Sequence, residues 1–113
     1  MNSVSPMQQL DLREGTIEFW VKKDKFQWND GLMQVLVNIS NELGSIFIIK
    51  DSDNKLKFFH VLLGKGRTDV EMDVSNLGSD KPHHIAATWT ISKKEIALYI
   101  DGGEKTSKSN IKY

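Results

Sequence analysis

Apolar and polar side chains alternate with a period of two along most of this chain, the repeat of a strand that turns one face to a core and the other to water. The alternation is clearest in Gly15-Thr-Ile-Glu-Phe-Trp-Val-Lys22, His83-His-Ile-Ala-Ala-Thr-Trp89 and Ile96-Ala-Leu-Tyr-Ile-Asp-Gly102. It predicts a first strand over 16–23, with Ile17, Phe19 and Val21 on one face and Thr16, Glu18, Trp20 and Lys22 on the other. Further strands are predicted over 32–39, 45–50, 56–63, 68–74, 83–90 and 95–101. The 32–39 stretch is nearly all apolar, which predicts burial on both of its faces. In 56–63, Leu56, Phe58, His60 and Leu62 share one side; in 68–74, Val70, Met72 and Val74 point inward while Asp69, Glu71 and Asp73 point outward.

Turn-forming residues separate these segments at Asp30-Gly31, 41–44, 51–55, 64–66 and 92–94. No stretch shows helical periodicity with caps. Short strands separated this regularly indicate an all-β, antiparallel β-sandwich rather than an α/β fold.

At 113 residues the chain is read as one domain over 1–113, with 1–9 and 104–113 less ordered. Fifteen basic and fifteen acidic side chains cancel, and no basic stripe exists to displace counterions from phosphate, so a nucleic-acid partner is not expected. The densest basic group, Lys22, Lys23 and Lys25 around Asp24, reads as a solvated strand end. Without cysteine there are no disulfides and no thiolate chemistry. The longest apolar runs, 46–49 and 61–63, fall far short of a bilayer span, so membrane insertion is not expected. Residues 1–7 lack the basic start and apolar stretch of a secretory signal. The chain is therefore expected to remain where it is made or to be a piece of a longer secreted protein.

The three alternating segments, in this order and spacing, resemble the concanavalin A-like lectin/glucanase jelly roll in its laminin G-like branch; the likeness covers Gly15 to Gly103. The resemblance implies a non-catalytic binding module that recognises carbohydrate or a protein surface through the sandwich face and loops, in an extracellular or cell-surface setting. In that branch further strands follow the segment matching 96–102, and one of them pairs near the first strand. Here only a weak candidate at 106–113 follows, which predicts an incomplete sandwich whose exposed edge is covered by a homodimer, by a neighbouring domain of a longer chain or by weak pairing of the tail, the homodimer being favoured. A structural or interaction role through that open edge is the alternative function.

Candidate chemistry is sparse. The resemblance to retaining β-glucanases calls for alternating carboxylates on one strand face, and Glu71 and Asp73 begin such a motif. Ser75 and Asn76 stand where the second glutamate belongs, which removes the general acid, so a glycoside hydrolase is only a remote alternative and no catalytic residues are assigned. His83 and His84, adjacent in a strand, face opposite ways and cannot chelate one ion together; His60 has no His-x-His spacing to join them. No cofactor is assigned, but the resemblance implies that calcium could be held by loop oxygens, for which Asp51, Asp53 and Asn54 are the candidates. A sugar ring needs an aromatic platform beside polar groups. Trp28, Asn29 and Asp30 in a loop supply that combination, with outward-facing Trp20 and Tyr99 as further candidates; Trp89 reads as core.

Overall fold

The computed structural model describes residues 11–113; the expected lead-in over 1–9 lies outside the described residues. Among the described residues eight strands form two antiparallel sheets. The first sheet has the order β1 (Glu14–Val21), β6 (His83–Thr90), β7 (Glu95–Ile100), β8 (Lys105–Asn110). The second is a plain meander of β2 (Gln34–Asn41), β3 (Gly44–Lys50), β4 (Lys55–Leu62) and β5 (Gly66–Asp73). A 3-10 turn, Asp101–Gly103, links β7 to β8.

The alternation decides which side chains meet between the layers. Ile17 and Val21 of β1, Ile85, Ala87 and Trp89 of β6, and Ile96, Leu98 and Ile100 of β7 face Ile46, Ile48, Leu56, Phe58 and Val70 of the second sheet, and all are buried. Each of the larger aliphatic and aromatic side chains contributes about 1.5–3 kcal/mol on leaving water. The registers keep inward residues opposite inward residues, as in Phe19 against Ile85 and Ile85 against Ile100.

Two expectations are corrected. Residues 32–39 are not buried on both faces: Leu32, Met33 and Val35 are exposed, the strand begins at Gln34, and a bulge between Val35 and Val37 breaks its register. No layer covers the outside of the second sheet among the described residues, so continuous hydrophobicity there does not mean two-sided burial. The tail over 104–113, expected to be less ordered, supplies β8, which pairs with β7 from Glu95–Asn110 to Ile100–Lys105. Its Lys-Thr-Ser-Lys-Ser-Asn sequence carries no apolar alternation because only Ser107 and Ser109 turn partly inward. The tail extends the sheet on the side away from β1, which is an edge among the described residues.

Three polar groups inside the sandwich tie segments together. His60 donates from Nε2 to the Leu12 carbonyl at 2.7 Å, and its Nδ1 accepts from the Tyr113 hydroxyl at 2.8 Å. Lys50, fully buried at the end of β3, is paired with Asp30 in the 22–33 loop. His83 bridges Asp101, 2.6 Å from its Nδ1, and the Gly78 carbonyl, which its Nε2 reaches. No buried side-chain polar atom lacks a partner among the described residues.

Candidate functional site

The outer face of the first sheet gathers the residues best suited to hold a ligand. β1 places Thr16, Glu18 and Trp20 outward; β6 adds His84, Ala86 and Thr88; β7 adds Tyr99. Trp20 lies opposite His84, while Glu18, Ala86 and Tyr99 form the adjacent row and Thr106 of β8 continues it. Trp20 is 65% exposed, unusual for an indole, and meets the His84 ring edge-on at 5.1 Å between centroids. His84 donates from Nε2 to Glu18 Oε1 at 2.9 Å, so ring and carboxylate are held beside the indole. Ala86 leaves a low floor between Glu18 and the half-buried Tyr99, with the Thr16 and Thr88 hydroxyls in the next row. The result is a shallow platform: one bare aromatic face, a fixed carboxylate–imidazole pair, a second aromatic and several hydroxyls.

The loop group expected to lead does not form such a platform. Trp28 is 2% exposed, with Phe26 edge-on at 4.7 Å and His83 at 5.9 Å, so its faces are spent on packing. A loop tryptophan flanked by Asn and Asp gives no periodic signal of which way it turns; here the indole closes one end of the core. Asn29 is exposed. Asp30 accepts from Lys50 and from the Leu32 amide, and these bonds hold its carboxyl below the usual carboxylate range. The structure therefore brings Trp20 and Tyr99 onto one face and leaves Trp28, Asn29 and Asp30 elsewhere.

The suggested calcium ligands also have occupation of their own. Asp51 and Asp53 each approach the Lys57 ammonium to 3.0 Å, with Glu71 at 3.9 Å, so a protein cation stands among these carboxylates. The Lys57 bond lowers the Asp51 pKa, and Asp51 and Asp53 together raise that of Lys57. The Asn54 side-chain carbonyl accepts from the Gly31 amide. Among the described residues no cluster of three or more His, Cys, Asp or Glu side chains is arranged to hold a metal.

Glu71 and Asp73 face outward from β5 as predicted, and each carboxylate has a partner. Glu71 pairs with Lys55 at 3.2 Å. Asp73 accepts from the Ser75 hydroxyl and amide, which lower its pKa.

The outer face of the second sheet has a different character. Val35, Phe47, Ile49, Phe59 and Val61 form an apolar surface with Met33 at its margin, and Arg67 lies over the Phe59 ring at 5.2 Å. Periodicity missed this surface because it assigns one apolar face per strand, whereas β3 and β4 are apolar on both.

Among the described residues no helix is long and apolar enough to cross a membrane. A laminin G-like family model, described as the concanavalin A-like lectin/glucanases superfamily, matches residues 2–112. No curated protein matches the chain, and no solved structure does.

Proposed function

Because the chain belongs to the concanavalin A-like lectin/glucanases superfamily, we propose that it is a non-catalytic module that binds carbohydrate on the outer face of β1, β6 and β7. The observation that carries this reading is the bare indole of Trp20 beside the Glu18–His84 pair. The C–H face of a pyranose stacks on the indole, and the carboxylate, imidazole and threonine hydroxyls exchange hydrogen bonds with its hydroxyl groups. Tyr99 extends the platform to a second sugar unit: two strand spacings and two residues along the strand separate it from Trp20 by roughly 12 Å. The absence of catalysis is part of the proposal, supported by the engagement of Glu71 with Lys55 and of Asp73 with Ser75. No metal is required at this platform.

The test is a glycan array followed by titration calorimetry on the strongest ligand, comparing the native chain with Trp20→Ala and Trp28→Asn. Loss of binding in the first variant supports the platform. A ligand that Trp20→Ala still binds at native affinity, or no ligand across a broad array, overturns it.

The apolar face of the second sheet favours a second reading, in which the module also docks onto a protein surface through Val35, Phe47, Ile49 and Phe59. A charge introduced on this face alone, such as Phe59→Glu, separates the two: it abolishes protein docking and leaves sugar binding intact.

A further inference from the structure

We infer that two copies of this chain join along the free edge of β1, placing two Trp20 platforms on one continuous sheet. The association itself rests on the edge strand; only its consequence for ligand rests on the sugar-binding reading.

The backbone states which groups are available. The Ile91 amide donates to the Arg13 carbonyl at 2.8 Å, extending the β1–β6 register by one residue. Odd-numbered residues of β1 therefore bond to β6. The amides and carbonyls of Glu14, Thr16, Glu18 and Trp20 point away from it and have no strand partner among the described residues. Such an edge recruits another strand unless something repels it, and lysine is a common repellent. Lys22 and Lys23 stand at the C-terminal end of this edge, exposed and without an ion pair among the described residues. They discourage an arbitrary strand.

An antiparallel copy of β1 answers that charge. Glu14 and Glu18 occupy the N-terminal half of the strand, and Lys22 and Lys23 follow its C-terminal end. A twofold axis perpendicular to the sheet, passing through Glu18, sets Lys22 beside Glu14 of the partner subunit, and does so twice; the two Glu18 carboxylates meet at the axis, one like-charge contact set against two opposite-charge ones. Pairing even residues with even residues also keeps outward side chains outward, so the core pattern of both copies is preserved. Beside the edge, Phe19, Val21, Val35 and Leu36 line an open groove of about 320 Å³ with Lys25 at its rim, and the second copy narrows it. The two Trp20 residues then stand roughly 14 Å apart on the same face, four residues along the strand and one strand spacing across. A site built this way takes a longer glycan than one platform can hold.

A single-strand edge lies at the small end of specific interfaces, below about 1,200 Å² in total, so the dimer is expected to be concentration-dependent. Sedimentation velocity of the full chain over a range of concentrations, without glycan, is the test. A monomer–dimer equilibrium is expected. Thr16→Pro, which removes an outward amide without disturbing β6, abolishes it. Lys22→Glu weakens it by about tenfold, and Lys22→Glu combined with Glu14→Lys restores it to within a few-fold of native. The charge-reversal pair keeps the test decisive if the proline variant fails to fold. A chain that stays monomeric at high concentration, or a dimer indifferent to these substitutions, overturns the inference; the latter assigns association to another surface. Failure of sugar binding leaves the sedimentation result untouched, so the two readings fall separately.

Discussion

The indole of Trp89 fills the space in which a side chain on Gly15 would stand: a Cβ at that glycine would lie 2.6 Å from Cζ2 of the ring. The two residues are opposite one another in the β1–β6 ladder, and the indole Nε1 donates to the Asp11 carbonyl at 2.7 Å. The ring is therefore fixed at both ends and cannot give way. Gly15→Ala is expected to destabilise the fold by about 1–3 kcal/mol through overpacking, read as a lower urea midpoint with unchanged slope.

The two tryptophans once grouped as ligand candidates should separate by stability. Trp28→Ala empties a site closed by Phe26 and His83 and is expected to cost about 3–5 kcal/mol. Trp20→Ala removes an exposed ring and should change stability by no more than ~0.5 kcal/mol. Denaturant titration of both variants checks this; equal losses would place Trp20 in the core and remove it from the platform.

Acid should weaken the protein in two steps. Burial holds the His60 pKa below its ordinary 6.5. Above that value the ring is neutral in both folded and unfolded chains, and the full stability is present. As the pH falls below it, the unfolded chain takes up the proton first, and stability is lost until the folded value is reached. For Asp101 burial opposes ionisation, but the bonds from His83 and the His84 amide outweigh it, so its pKa lies below 3.8. That contribution is present above pH 3.8 and is lost as the pH falls through the folded value. Melting temperature against pH should therefore decline below about 6.5 and again below about 3.8, and His60→Gln should flatten the first decline alone.

Lys57 makes a prediction about calcium. With its ammonium among Asp51, Asp53 and Glu71, added calcium is expected to leave the melting temperature of the native chain unchanged. Lys57→Ala exposes three carboxylates, and a calcium-dependent, chelator-reversible rise should appear in that variant. A rise in the native chain would show that the ion displaces the lysine.

What the sequence disclosed, and what it withheld, follows from the reach of each signal. Strict alternation at Ile17, Phe19, Val21 and at Ile85, Ala87, Trp89 is a local statement about faces, and it located those strands and their inward residues. The same alternation set Trp20 and Tyr99 outward. It could not say that they share a face, because that depends on the pairing of β1 with β6 and of β6 with β7 across most of the chain. Trp28 was misplaced because a loop residue has no period, and β8 was nearly invisible because an edge strand of Lys, Thr and Ser buries little. In one dimension Lys50 is only the last residue of its strand, and His60 only a polar residue on the side of Leu56, Phe58 and Leu62. Their partners, Asp30 for the first and Leu12 and Tyr113 for the second, are brought to them only by the closed sandwich.

The order of strands within the sheets has a bearing on how the chain is made. β2 to β5 are sequential neighbours and can zip together as soon as they leave the ribosome. β1, made first, must wait for β6 and so stays unpaired until the entire meander has been synthesised. During that interval the meander has grease on both sides: the inner face that the first sheet will cover, and the outer one around Phe47 and Phe59 that it never covers. Nascent copies of this protein are thus most vulnerable to clumping before His83 emerges, and chaperone dependence should track the rate of elongation through that window.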